Sequence, residues 1–256
     1  AYGWGVRVKN TNYLEVRNLG FMYCNSSEGD NVGLQQGNKY VWVHHNDMFY
    51  GQPGSDKDQV KGDGALDCKK SNFITFSYNH FWDSGKSNLL GLSEGVKSTA
   101  ENAYYITYHH NWYDHSDSRH PRCRYYNAHV YNNYYDGNAK YGAGSTLGSS
   151  VFMQNNFFRS CKYPMLTSMQ GSDVYATGDV RDNSENPTFS KEDGGVIKAS
   201  GNIMTGIYTF VPYASAQSVT AGVVGDASGR GIDTKVDFDA VVVEDPSETI
   251  PSSIVS

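Results

Sequence analysis

Ile106-Thr107-Tyr108-His109-His110-Asn111 is a short run that ends on an asparagine, and 22 residues later the phrase returns as Ala128-His129-Val130-Tyr131-Asn132-Asn133. It returns after 23 more as Val151-Phe152-Met153-Gln154-Asn155-Asn156, and after 46, twice that period, as Ile197-Lys198-Ala199-Ser200-Gly201-Asn202. Upstream copies are Leu14-Glu15-Val16-Arg17-Asn18, Val41-Trp42-Val43-His44-His45-Asn46 and Ile74-Thr75-Phe76-Ser77-Tyr78-Asn79. Their gaps of 28, 33 and 32 residues are one period plus an insertion. Short alternating runs predict strands, and strands repeating in the low twenties with no helical pattern predict stacked coils. A leucine-rich repeat has a similar period, but its Leu-x-x-Leu-x-Leu phrase is absent. The expected fold is all-β, a right-handed parallel β-helix (a β-solenoid) with the marker asparagines stacked as a ladder; the hand follows the rule for parallel crossovers. About eight coils at roughly 4.8 Å each give a rod near 38 Å long.

The repeat is clear over residues 12–205, within a single expected domain of 1–256. After residue 206 it fades into a tail rich in Ala, Ser, Val and Gly, expected to pack along the rod or cap it. Charge excludes one class of partner: 21 basic against 27 acidic residues give −6, whereas nucleic-acid binders present a basic face. No run of 18 apolar residues exists, so no membrane-spanning helix is expected. Low charge with 20 Tyr and 27 Gly suits an extracellular β-rich protein rather than a helical bundle, and a secreted monomer is expected. No signal peptide is visible; the chain opens Ala1-Tyr2-Gly3-Trp4, as a mature or trimmed protein would. Cys24, Cys68, Cys123 and Cys161 permit two disulfides in three pairings, or buried thiols, and both alternatives stay open.

Offsets from the marker asparagines turn sequence into spatial neighbours. Asp30 lies 16 residues before Asn46 and Asp63 lies 16 before Asn79, which puts two carboxylates about one strand spacing apart. Glu28 and Asp67 sit near them. A straight strand would hold Asp63 and Asp67 roughly 13 Å apart, but Gly62 and Gly64 permit a turn that folds one towards the other. Carboxylates this close repel unless a cation joins them, and an oxygen-only set suits Ca²⁺. The bland alternative is a solvated acidic edge.

Lys86 lies seven residues after Asn79 and Arg119 eight after Asn111, and Arg124 follows in Arg119-His120-Pro121-Arg122-Cys123-Arg124. Cations at aligned offsets beside an acidic site describe a groove for a polyanion with regularly spaced carboxylates, which Arg grips bidentately and Lys as a point charge. Any one of them alone would read as a surface cation paired with a local acid such as Asp117.

At these residues the sequence resembles the pectate lyase family 1 β-helix enzymes, over roughly residues 12 to 205. Glu28-Gly29-Asp30 and Asp63-Gly64-Ala65-Leu66-Asp67 resemble the family's two acidic elements. Tyr40-Val41-Trp42-Val43-His44-His45 and Ile106-Thr107-Tyr108-His109-His110-Asn111 resemble two of its strands. Lys86-Ser87-Asn88-Leu89-Leu90-Gly91 is similar to its Lys-Thr-x-Leu-Ile-Gly. Arg119-x-Pro121-x-x-Arg124 and His129-Val130-Tyr131-Asn132-Asn133 match its Arg-x-Pro-x-x-Arg and His-x-Tyr-Asn-Asn. The chain departs at His44, where the family has Asp, and at Tyr125-Tyr126, where it has Gly-Gly and where an aromatic wall is expected. It is also shorter than typical members.

The resemblance implies calcium-dependent β-elimination of α-1,4-polygalacturonate to 4,5-unsaturated oligogalacturonates. It makes Arg119 the base at C5, with Lys86 and Arg124 on the adjacent carboxylate and His120 and Arg122 as further substrate contacts. It makes Asp30, Asp63, Asp67 and Glu28 the calcium set. Two other readings are open: a pectin lyase acting on methyl-esterified substrate without calcium, and a non-catalytic carbohydrate-binding solenoid. A hydrolase on a similar helix would need clustered aspartates, and no Asp-Asp pair occurs in the chain.

Overall fold

The computed structural model describes residues 1–24, 30–49, 64–91, 104–167 and 195–208, together with the strands Ile232–Asp233 and Val242–Glu244. These residues form three parallel sheets of seven, eight and eight strands, wound as a right-handed parallel β-helix. The first sheet stacks Val6–Lys9, Val32–Gln35, Leu66–Cys68, Leu89–Leu90, Arg122–Arg124, Ala143–Thr146 and Met165–Thr167. The second contains the repeated phrase, from Asn12–Arg17 to Val196–Ser200, and the third the short strands that follow each asparagine. The tail adds rungs of its own: Ile232–Asp233 extends the second sheet beside Val196–Ser200, and Val242–Glu244 extends the third beside Ile203–Thr205.

Alternation sends one side chain of each pair inward. Val43, Phe76, Tyr108, Val130 and Met153 form one buried row, and Phe81, Tyr113, Tyr135 and Phe158 another. In the second row the rings stack at centroid distances of 5.1, 4.9 and 4.2 Å, so each coil fits only against a neighbour whose rings are in phase.

The asparagine ladder stands at the turn between the second and third sheets. Each side-chain amide donates to the next Asn Oδ1, from Asn46 to Asn79 at 3.0 Å, Asn79 to Asn111 at 3.1, Asn111 to Asn133 at 3.0, Asn133 to Asn156 at 3.0, and Asn156 to Asn202 at 2.9. The same oxygens also accept backbone N–H groups, so a buried turn that would strand polar groups is satisfied from one residue type. One expectation needs correction. Asn18 is not a ladder residue: its N–H donates to His45 O, while the neighbouring Leu19 N–H donates to Asn46 Oδ1. Asn18 instead occupies the left-handed position before the ladder, at φ +55°, which Asn also tolerates.

All four cysteines are buried thiols, none in a disulfide. Cys68 and Cys123 share one inward row but flank Leu90, two rungs apart at about 10 Å, beyond the reach of a disulfide.

Candidate active site

The first sheet and the turns leading into it place the charged residues on successive rungs. Asp30 and Asp67 are both buried. A β-carbon built on Gly64 would meet Asp30 Oδ1 at 2.5 Å and Asp67 Oδ1 at 2.7 Å. The two carboxylate oxygens are therefore no farther apart than the sum of these distances, and they fill the space that only a glycine leaves. Asp67 Oδ1 also accepts the Leu89 N–H at 2.9 Å, which fixes its direction. Two buried carboxylates aimed at one point form a hard, oxygen-only donor set, which fits Ca²⁺. Glu28 and Asp63 lie outside the described residues.

The cations follow on the next rungs. Lys86 pairs with Ser118 in a parallel bridge, and Arg119 O accepts the Asn88 N–H at 2.7 Å, so Lys86 and Arg119 stand on adjacent coils. Arg122 and Arg124 flank the inward Cys123 on that same coil and point the other way. Lys86 is 4% exposed. Burial, with the positive charges of Arg119, Lys140 and Arg122, pushes its ammonium down to about 7, and the nearby Asp30 offsets this only in part. Sequence offsets did not flag two members of the cluster, Lys140 and the buried Tyr141, whose hydroxyl lies beside the Arg119 guanidinium. Both belong to the following coil, where no basic motif marks them.

His120 is placed differently from the expectation that it contacts substrate. It is 0% exposed, its imidazole packed against the inner rings of Tyr113 and Tyr135. Tyr126 likewise turns inward, its hydroxyl donating to Ser71 O at 2.7 Å, so of the expected aromatic wall only the half-buried Tyr125 is at the surface. His44 is buried on the second sheet, hydrogen-bonded to Glu15 at 2.7 Å and stacked on Trp42. Among the described residues a further group of metal-ligand type, Asp114, His115 and Asp136, lies on the third sheet, where His80 and Arg159 already engage its carboxylates. A cavity of about 540 Å³ lies on the outer side of the second sheet, between Phe73, Tyr105, His129 and Phe152, away from the cation cluster.

The pectate lyase family model matches residues 3–233. The chain belongs to the pectate lyase family. Similar proteins include a pectate trisaccharide-lyase of Bacillus licheniformis, 33% identical over 174 residues that cover 68% of this chain and 49% of the relative. Pectate lyase A of Emericella nidulans is 31% identical over 183 residues, 70% of this chain and 54% of the relative. The chain thus spans about half the length of these curated pectate lyases. Among solved structures, a pectate lyase variant from Xanthomonas campestris aligns with a TM-score of 0.64 and 26% identity, over 81% of this chain and 58% of that one. A pectate lyase of a Bacillus species in complex with trigalacturonate aligns with a TM-score of 0.60 and 25% identity, over 79% of this chain and 59% of that one.

Proposed function

We propose that this chain is the catalytic β-helix of a calcium-dependent pectate lyase that cleaves α-1,4-linked polygalacturonate by β-elimination, outside the cell, where so large a polymer is met. The observation that carries the reading is the order along one face: converging Asp30 and Asp67, then Lys86, then Arg119, Arg122 and Arg124. Clustered cations repel one another, and that repulsion adds to burial in lowering the proton affinity of Lys86. An anionic polymer relieves it; a methyl-esterified one would not. This favours pectate over pectin as the substrate.

In this mechanism Lys86 and Arg124 grip the C6 carboxylate of the same uronate that loses its C5 proton, and so neutralise the charge that develops as that proton leaves. Arg119, partly exposed, takes that proton. The C5–H electrons form the C4–C5 double bond, the C4–O4 bond breaks, and the departing O4 acquires a proton from solvent. A neutral guanidine is a strong base, as a weakly acidic carbon requires. Asp30 and Asp67, with Asp63 and Glu28 in the expected set, would hold a calcium ion, which when bound withdraws charge from the substrate carboxylate.

The test is ultraviolet absorbance of the unsaturated uronate on polygalacturonate, with and without chelator, and on methyl-esterified pectin. Chelator-sensitive product from polygalacturonate supports the reading. Chelator-resistant product from the ester alone would convert it to a pectin lyase, and binding without product to a non-catalytic solenoid.

A further inference from the structure

Arg119 has φ +66°, in the left-handed region that costs a non-glycine residue on the order of 1 kcal/mol or more. Such a backbone persists only where its surroundings hold it. On the side of the preceding coil, Asn88 N–H donates to Arg119 O at 2.7 Å and Ser118 Oγ–H donates to Gly85 O at 2.8 Å. On the side of the following coil, Asp117 O accepts the Lys140 and Tyr141 N–H groups at 2.9 and 3.1 Å, Pro121 O accepts the Gly144 N–H at 2.9 Å, and the residue next to Arg119, His120, makes three further contacts. Its backbone N–H donates to Gly142 O at 2.9 Å, its carbonyl accepts Tyr135 Oη–H at 2.8 Å, and its Nδ1 lies 2.8 Å from Tyr141 O.

A carbonyl only accepts, so Nδ1 carries the proton and the ring is the Nδ1–H tautomer. Burial pushes the imidazolium down to about 3, so this neutral form is the resident one over the working range of pH. Nε2 has no hydrogen-bond partner among the described residues. It is enclosed by the core rings and cannot reach a substrate. The one carbonyl that Nδ1–H engages belongs to Tyr141, the residue whose hydroxyl lies beside the Arg119 guanidinium. His120 therefore ties together the two ends of one unit: the backbone that carries Arg119, and the residue whose phenol faces the Arg119 side chain.

We infer that His120 is a positioning residue for Arg119, a buried peg that fixes the direction of the guanidinium through the Nδ1–H···O bond to Tyr141. The inference rests on Arg119 being the base of the proposed elimination. A base displaced by about 1 Å can lose on the order of 10²-fold in rate, while the substrate carboxylate still meets Lys86 and Arg124.

Three variants test it. His120→Leu fills the ring's space and removes the donor. His120→Asn keeps an amide N–H near the Nδ1 position, and His120→Gln carries its amide one carbon farther out. Expected are a kcat of His120→Leu lower by on the order of 10²-fold with KM within about twofold, recovery of most of the rate in His120→Asn, and no comparable recovery in His120→Gln. Should His120→Leu not fold, the Asn and Gln variants, matched by thermal midpoint, carry the comparison. Wild-type kcat in His120→Leu, or equal kcat in Asn and Gln variants, overturns the positioning role. Absence of any unsaturated product from the wild-type protein on polygalacturonate with calcium instead overturns the lyase reading and this inference with it.

Discussion

The carboxylates of Asp30 and Asp67 converge on the space beside the α-carbon of Gly64, two residues brought from different coils to one point. A methyl group at Gly64 would collide with both oxygens. Gly64→Ala is therefore expected to splay the carboxylates and raise the calcium concentration for half-maximal activity by about tenfold or more, equivalent to about 1.4 kcal/mol. Asp67→Asn should act in the same direction. Calcium titration by calorimetry and by activity checks both, and unchanged affinity in the two variants would remove this site from the enzyme.

Arg119→Lys keeps the charge but loses the planar fork and the reach. We expect a fall in kcat of roughly 10²–10⁴-fold, the range for loss of a general base, with the unfolding free energy changed by no more than about 0.5 kcal/mol. Turnover near that of the parent protein would show that Arg119 is a surface cation. Steady-state rates and denaturant midpoints on the same preparation decide between the two.

Lys86 makes the pH dependence of binding signed. Its folded-state value lies at about 7 against an ordinary 10.5. Above pH 7 the free protein holds Lys86 largely neutral, and an arriving carboxylate favours the ammonium. Binding of polygalacturonate at pH 8 should take up protons, and KM should rise with pH through this range. Calorimetry in two buffers of different ionisation enthalpy measures the uptake, which Lys86→Ala should abolish. For stability the depressed value means that the unfolded chain binds more protons between about pH 7 and 10.5, so the contribution of this group to stability rises with pH across that window. Lys86→Met should flatten that rise.

Asn111 anchors the middle of the ladder. Its Oδ1 accepts from Asn79 N and Nδ2, both at 3.1 Å, and its Nδ2 donates to Phe76 O at 2.9 Å and Asn133 Oδ1 at 3.0 Å. Asn111→Ala leaves buried donors and acceptors unmet, each costing about 1–3 kcal/mol. A loss of about 3 kcal/mol or more in urea unfolding is expected. A change below about 0.5 kcal/mol, typical of an exposed site, would mean that the ladder is incidental to stability.

The sequence alone was enough to read the coils, because a buried turn makes the same demand on every rung and asparagine meets it. The misphased Asn18 shows the limit of that signal: two successive turn positions favour asparagine, one for its amide and one for its tolerance of positive φ, and a lone copy does not distinguish them. The adjacency of Lys86 and Arg119 was legible from offsets alone. The inward turn of His120 was not. Strand alternation read back from Arg124 and Arg122 places residue 120 on the outer face, but the turn at Arg119 resets the direction before the strand begins. Lys140 and Tyr141 escaped notice because proximity across coils is a property of the stack, not of any local motif.

Ladder residues are separated along the chain by 33, 32, 22, 23 and 46 positions. Yet the amide contacts between them differ by no more than 0.2 Å, from 2.9 to 3.1 Å. The asparagine thus acts as a phase reset, returning the winding to a fixed angle once per coil whatever length of chain was spent since the last. Lengthening a loop adds closure entropy only slowly, as the logarithm of its length. Excursions that leave and rejoin at the same angle are therefore nearly neutral to the register of the groove. A single residue inserted between Asn111 and Arg119 is another matter. It falls after the reset and before the base, and would move Arg119 away from Lys86 even where the strand that follows regains its register. Tolerance to insertion in this molecule is accordingly set by whether an excursion rejoins its coil at the angle where it left rather than by how large it is.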